Sequence, residues 1–169
     1  RFGKTLNLSM LKYFYDCCPA DGTPGADPLS AANVTDLTSA NKKLFASLNI
    51  CKTGKQYIDK LGKYPVIFLS FRDIKELEWE TCIDKIEQLI QEEYSKHYYL
   101  LKSKKLIPPE QEYFKRIVDR KGSKADYEKS LGKLLIFLSR HYGTQVVILI
   151  DEYDAPLHAG VTSGYYEEI

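Results

Sequence analysis

Charge of one sign is what this sequence has least of: 24 Lys and Arg stand against 23 Asp and Glu, a net +1 over 169 residues. No global field therefore draws the chain to nucleic acid or to an anionic lipid surface, and any such contact has to come from a local patch. Long hydrophobic runs are missing too. Apolar stretches such as Val146–Ile150 fall far short of the roughly 20 residues that span a bilayer, so no membrane partner is expected. The opening residues Arg1-Phe2-Gly3-Lys4-Thr5 are not a secretory leader. Cysteine is sparse, and Cys17, Cys18, Cys51 and Cys82 have neither the density of a disulfide framework nor the paired spacing of a zinc site. They predict a reducing, cytoplasmic setting, with Cys17 and Cys18 as free thiols. Internal repeats and low-complexity segments are absent.

What the sequence does have is enough apolar material, 44%, for a core of its own, and the length of one domain. Leu6, Leu8, Met10, Leu11 and Phe14 predict a helix that starts near Gly3 and ends before Pro19. Residues 16–30, rich in Pro, Gly and Asp, predict a loop, and a short helix is expected around Ala40–Leu48 with Leu44, Phe45 and Leu48 on one side. The run Tyr64–Phe71 is nearly all apolar and predicts a strand buried on both faces. Trp79, Ile83, Ile86, Leu89, Ile90 and Tyr94 recur at helical steps, with Glu80, Lys85, Glu87 and Glu92 outside. Residues 102–124 are basic and broken by Pro108-Pro109 and Gly122. A second amphipathic helix uses Tyr127, Leu131, Leu134, Leu135 and Leu138 and stops near Gly143, before the strand Val146–Ile150. Strands that alternate with helices predict an α/β fold with parallel pairing.

Gly3-Lys4-Thr5 at the head of a helix has two explanations. It is the end of a phosphate-binding loop, where free backbone N–H groups and the helix dipole favour an anion, Lys4 reaches the phosphates and the Thr5 hydroxyl ligates Mg2+. Otherwise it is an ordinary helix start with a solvated lysine. Val146–Ile150 followed by Asp151-Glu152 also has two: a strand that delivers one carboxylate to a Mg2+ shell and a second within reach of an attacking water, or a core strand ending in solvated acids. The combination of the two motifs in one α/β pattern favours the nucleotide explanation.

Three segments carry a resemblance. Arg1-Phe2-Gly3-Lys4-Thr5-Leu6-Asn7-Leu8-Ser9-Met10-Leu11 resembles the opening motif of the predicted AAA-ATPase-like family. Tyr64–Phe71 is similar to that family's second strand. Leu149-Ile150-Asp151-Glu152-Tyr153-Asp154-Ala155-Pro156 is similar to its acidic motif, with Gly164-Tyr165-Tyr166 following as in the family. The resemblance implies a P-loop NTPase core, a three-layer αβα arrangement around a parallel sheet, that binds ATP and Mg2+ and hydrolyses ATP in step with a conformational change. It implies Gly3, Lys4 and Thr5 for the nucleotide, Thr5 and Asp151 for the metal, and Glu152 with Lys4 for catalysis. It also implies that residues 1–169 are a fragment of one such domain, lacking the strand before the phosphate loop and truncated at both ends. Members often carry a restriction-endonuclease-like nuclease domain after the ATPase.

Rival signals point elsewhere. Lys102, Lys104, Lys105, Arg116, Arg120, Lys121 and Lys124, interleaved with Tyr98, Tyr99, Tyr113 and Tyr127, mark a basic insertion at about 99–124. It is either a surface for single-stranded nucleic acid or a solvated stretch diluted by Glu110, Glu112 and Asp119. The alternative function is therefore a catalytically silent module of the same fold that binds nucleic acid or protein, and assembly into an oligomer is a further expectation. Asp154-Ala155-Pro156 reads as a turn, with Asp154 orienting the loop and His158 solvated.

Overall fold

The structure, a computed structural model, describes residues 3–17 and 43–168. Most of the loop expected at 16–30 and the start of the helix expected at Ala40–Leu48 lie outside the described residues, as does Cys18. Among the described residues the main elements are, in chain order, α1 (Lys4–Tyr15), α2 (Lys55–Ile58), β1 (Val66–Ser70), α3 (Trp79–Lys96), α4 (Pro108–Val118), α5 (Lys124–Tyr142), β2 (Val147–Asp151) and α6 (Ala155–Ser163). Among the described residues no helix is long and apolar enough to cross a membrane.

The fold is α/β. β1 and β2 pair in parallel, in a register that runs from Val66 opposite Val147 to Ser70 opposite Asp151. Parallel partners need a crossover, and here it contains α3, α4 and α5. Ile67 and Leu69 of β1 face the main core, where Tyr94 of α3, Phe114 and Ile117 of α4, and Leu134, Phe137 and Leu138 of α5 are buried. The Tyr94 hydroxyl donates to the Ser130 carbonyl at 2.6 Å and ties α3 to α5. Side chains alternate along a strand, so Phe68 lies on the other face, where the Lys12 ammonium of α1 sits 5.6 Å from its ring centre.

Local chemistry explains where the helices start and stop. Ser123 caps α5: its Oγ accepts the Asp126 N–H at 3.2 Å, and Asp126 Oδ2 accepts the Ser123 N–H at 3.0 Å. Gly143 ends that helix with φ of 68°, a left-handed conformation that suits glycine. Two punctuation signals act differently from expectation. Pro108-Pro109 opens α4 rather than breaking the chain, because the first helical turn has no use for a proline N–H. Pro156 likewise sits in the first turn of α6, so the turn expected at Asp154-Ala155-Pro156 forms at Tyr153-Asp154 and leads directly into a helix.

The middle of the chain is more structured than its charge suggests. Phe114 and Ile117 have no solvent exposure and belong to the main core, so a solvated stretch does not describe residues 102–124. The short helical segment at 43–45 buries Phe45 against Phe14 and Leu61. Leu44 and Leu48, expected beside Phe45, are exposed.

Candidate functional site

The ends of α1 decide where the site forms. At its C-terminus the Tyr64 N–H donates to the Tyr15 carbonyl and the Cys17 N–H to the Tyr64 carbonyl, both at 3.0 Å. These bonds fix the end of α1 to the start of β1, so α1 runs back along the sheet. Thr5 to Tyr15 spans about 15 Å at 1.5 Å per helical residue, and Tyr64 to Ser70 about 20 Å at 3.3 Å per strand residue. The N-terminus of α1 therefore arrives at the carboxyl end of the strands. There the register puts Asp151 on the same face as Phe68 and Leu149, the face that α1 covers.

The two ends meet in one hydrogen bond. Thr5 Oγ1 donates to Asp151 Oδ2 at 2.9 Å across 146 residues of sequence. Asp151 is only 3% exposed, so its carboxylate depends on partners for the solvation it has lost. Arg72, just beyond β1, supplies a second one: its Nη2 donates to Thr5 Oγ1 at 2.9 Å and lies 3.8 Å from Asp151 Oδ2. The structure thus brings Thr5 and Asp151 together. Lys4 is exposed on the first turn of α1, beside Gly3, whose φ of 103° is a conformation that side chains resist. Glu152 is exposed and adopts φ of 53°, unusual for a residue with a Cβ and costing on the order of 1 kcal/mol or more. That left-handed turn ends β2, and the Glu152 carbonyl then accepts the Ala155 N–H at 3.0 Å to start α6.

The donor set matches a hard divalent cation. Among the described residues no three His, Cys, Asp or Glu side chains cluster as a metal cage. Mg2+ does not require one, since it is held by one or two protein oxygens with the remaining positions left to phosphates and water. Thr5 Oγ1 and the Asp151 carboxylate are oxygen donors of that kind.

Neighbouring candidates fall away from this centre. His158 Nε2 lies 3.4 Å from Asp154 Oδ2, with the His158 side chain 79% exposed. In the basic middle, Tyr99 and Tyr127 are buried, Tyr113 is half-buried, and Tyr98 is 43% exposed. Arg116 pairs with Asp126 at 3.5 Å and Arg120 with Asp84 at 2.5 Å. The tyrosines therefore form no continuous stacking surface, and part of the charge is matched by acids.

Arg72 is the site residue that sequence reasoning missed. A signal for it existed: once Tyr64–Phe71 and Val146–Ile150 are taken as parallel neighbours, the residues just past both strands share one edge, and Arg72 lies two past the partner of Asp151.

The sequence profile of the predicted AAA-ATPase family matches residues 29–169. The match includes Asp151 and Glu152 and leaves Gly3, Lys4 and Thr5 outside it. No curated protein and no solved structure matches the chain. With most of its length matched, its strands parallel and its acidic motif at a strand end, the chain belongs to the predicted AAA-ATPase family.

Proposed function

We propose that this domain binds ATP with Mg2+ at the carboxyl end of β1 and β2 and hydrolyses it, in step with a conformational change. In this proposal the two strands are neighbours within a three-layer P-loop core. The observation that carries it is the bond from Thr5 Oγ1 to Asp151 Oδ2, because it joins the two motifs that nucleotide chemistry needs and that lie at opposite ends of the sequence.

The proposal gives each residue a task. Gly3 leaves the backbone open at the start of α1, where unpaired N–H groups attract an anion. Lys4, exposed beside it, pairs with the phosphates. Thr5 and Asp151 hold the metal, which when bound neutralises phosphate charge. Glu152 takes the proton of the attacking water, a role that needs an accessible carboxylate close to the nucleotide.

The test uses the full-length protein. Lys4→Ala is expected to abolish ATP binding, and Glu152→Gln to keep binding while slowing hydrolysis by about 10²–10⁴-fold, the usual worth of a general base. Turnover unchanged in both variants would overturn the proposal. A wild-type protein that binds ATP and never turns it over is the catalytically silent module instead.

A further inference from the structure

Arg72 is not explained by the nucleotide chemistry above, yet it touches both residues that would ligate the metal. Its Nη2 donates to Thr5 Oγ1 at 2.9 Å and lies 3.8 Å from Asp151 Oδ2. The Thr5 hydroxyl is used on both sides: its proton goes to Asp151 at 2.9 Å, and a lone pair takes the Arg72 N–H. A cation on Thr5 Oγ1 would have to take the hydroxyl's remaining lone pair beside the bound guanidinium, and on Asp151 it would stand against a guanidinium of like sign.

Exposure separates the two partners. The Asp151 side chain is 4% exposed and the Arg72 side chain 53%. A buried carboxylate without a partner is costly, so Asp151 needs a positive charge in every state of the site. Arg72 gives it one while remaining wet enough to withdraw into solvent without leaving a cavity. It stands just past the end of β1, with solvent beside its side chain for it to move into.

We propose that Arg72 is a resident counter-ion of the metal position: it holds Thr5 and Asp151 together while no divalent cation is bound, and an incoming cation must displace it. This rests on the metal-binding half of the function proposed above. Arg72 is thus a positioning residue that sets how much divalent cation the site requires. Its removal tightens cation binding, whereas loss of a residue with a merely structural role would weaken it.

The probe is Mn2+ alone, added to the full-length protein without nucleotide and followed by the electron paramagnetic resonance signal of the free ion. Arg72→Ala and Arg72→Gln are expected to bind Mn2+ about tenfold more tightly than wild type, given a charge-assisted contact and a partly exposed ion pair. Arg72→Lys, which keeps the charge, is expected to behave as wild type, and adding Asp151→Asn to Arg72→Ala should remove the gain. Mn2+ affinity that is unchanged, weaker or undetectable in Arg72→Ala overturns the proposal. So does wild-type affinity in Arg72→Gln, because the contact would then act through its hydrogen bond and not its charge. Binding of a fluorescent ATP analogue is measured on the same proteins. ATP binding with no Arg72 effect on Mn2+ sinks the counter-ion and spares the nucleotide function. The Mn2+ effect without ATP binding does the reverse.

Discussion

Replacing Thr5 by valine tests whether the site is built as described, independently of any ligand. The change keeps the shape of the side chain and exchanges the hydroxyl for a methyl. Two hydrogen bonds disappear, the donation to Asp151 Oδ2 and the acceptance from Arg72 Nη2, both 2.9 Å long. They do not cost the same. Arg72 is exposed and water replaces what it loses, so that half contributes little. Asp151 is 3% exposed and is left with a guanidinium 3.8 Å away, so the penalty is that of a buried acceptor without its donor, about 1–3 kcal/mol. With a urea m value of about 2 kcal/mol/M, the midpoint of unfolding should fall by about 0.5–1.5 M at constant m. Thr5→Ser returns the hydroxyl and should recover most of the loss. The assay is urea unfolding of wild type and the two variants by circular dichroism. A valine variant within about 0.3 M of wild type, or a serine variant no better than valine, would refute the claim that this hydroxyl solvates Asp151.

Two further outcomes are expected from the fold. Phe114→Ala removes a ring with no solvent exposure that lies 4.8 Å from the Tyr94 ring, and should cost about 3–5 kcal/mol in the same urea assay; a loss under about 1 kcal/mol would return the middle of the chain to a solvated insertion. Burial pushes the Glu93 carboxyl up, but His97 and Lys96 together hold it below its ordinary value of 4.5, with Lys96 Nζ at 2.6 Å and His97 Nε2 at 3.5 Å. A depressed carboxyl stabilises the fold above its unfolded value and loses that contribution as pH falls through the folded one. Stability should therefore drop on acidification below about pH 4.5, and Glu93→Gln should flatten that limb; an acid limb unaltered by Glu93→Gln would show that the carboxyl is not involved.

Much of this was legible because periodicity reports burial directly. The helical steps from Trp79 to Tyr94 and from Tyr127 to Leu138 become α3 and α5, and the two apolar runs become β1 and β2. The failures share one cause, a local signal whose meaning depends on what lies across the fold. Pro108-Pro109 marks a break or a helix start according to whether the next residues have a core to pack against, and the surrounding lysines hide that Phe114 and Ile117 fall one turn apart on a buried side. Tyr99 and Tyr127 look available for stacking until the core closes over them. Glu93, next to the solvent-facing Glu92, is buried against β1, where its Oε1 lies 3.4 Å from the Phe68 N–H.

The candidate site shows the same dependence at its sharpest. The family match begins at residue 29, so nothing in it connects Gly3, Lys4 or Thr5 to Asp151. Strand register does. With Ser70 opposite Asp151, alternation places Asp151 with Leu149 on the face that α1 covers, and Ile150, 40% exposed, on the other. A slip of one residue would exchange the two faces. It would carry the carboxylate away from Thr5 and press Ile150 against the start of α1. The alternation that buries Leu149 and leaves Ile150 exposed therefore also aims Asp151 at the N-terminus of α1. In this chain the packing of one strand and the assembly of the site are one constraint, which is why a substitution at Thr5 should be felt in stability before any nucleotide is added.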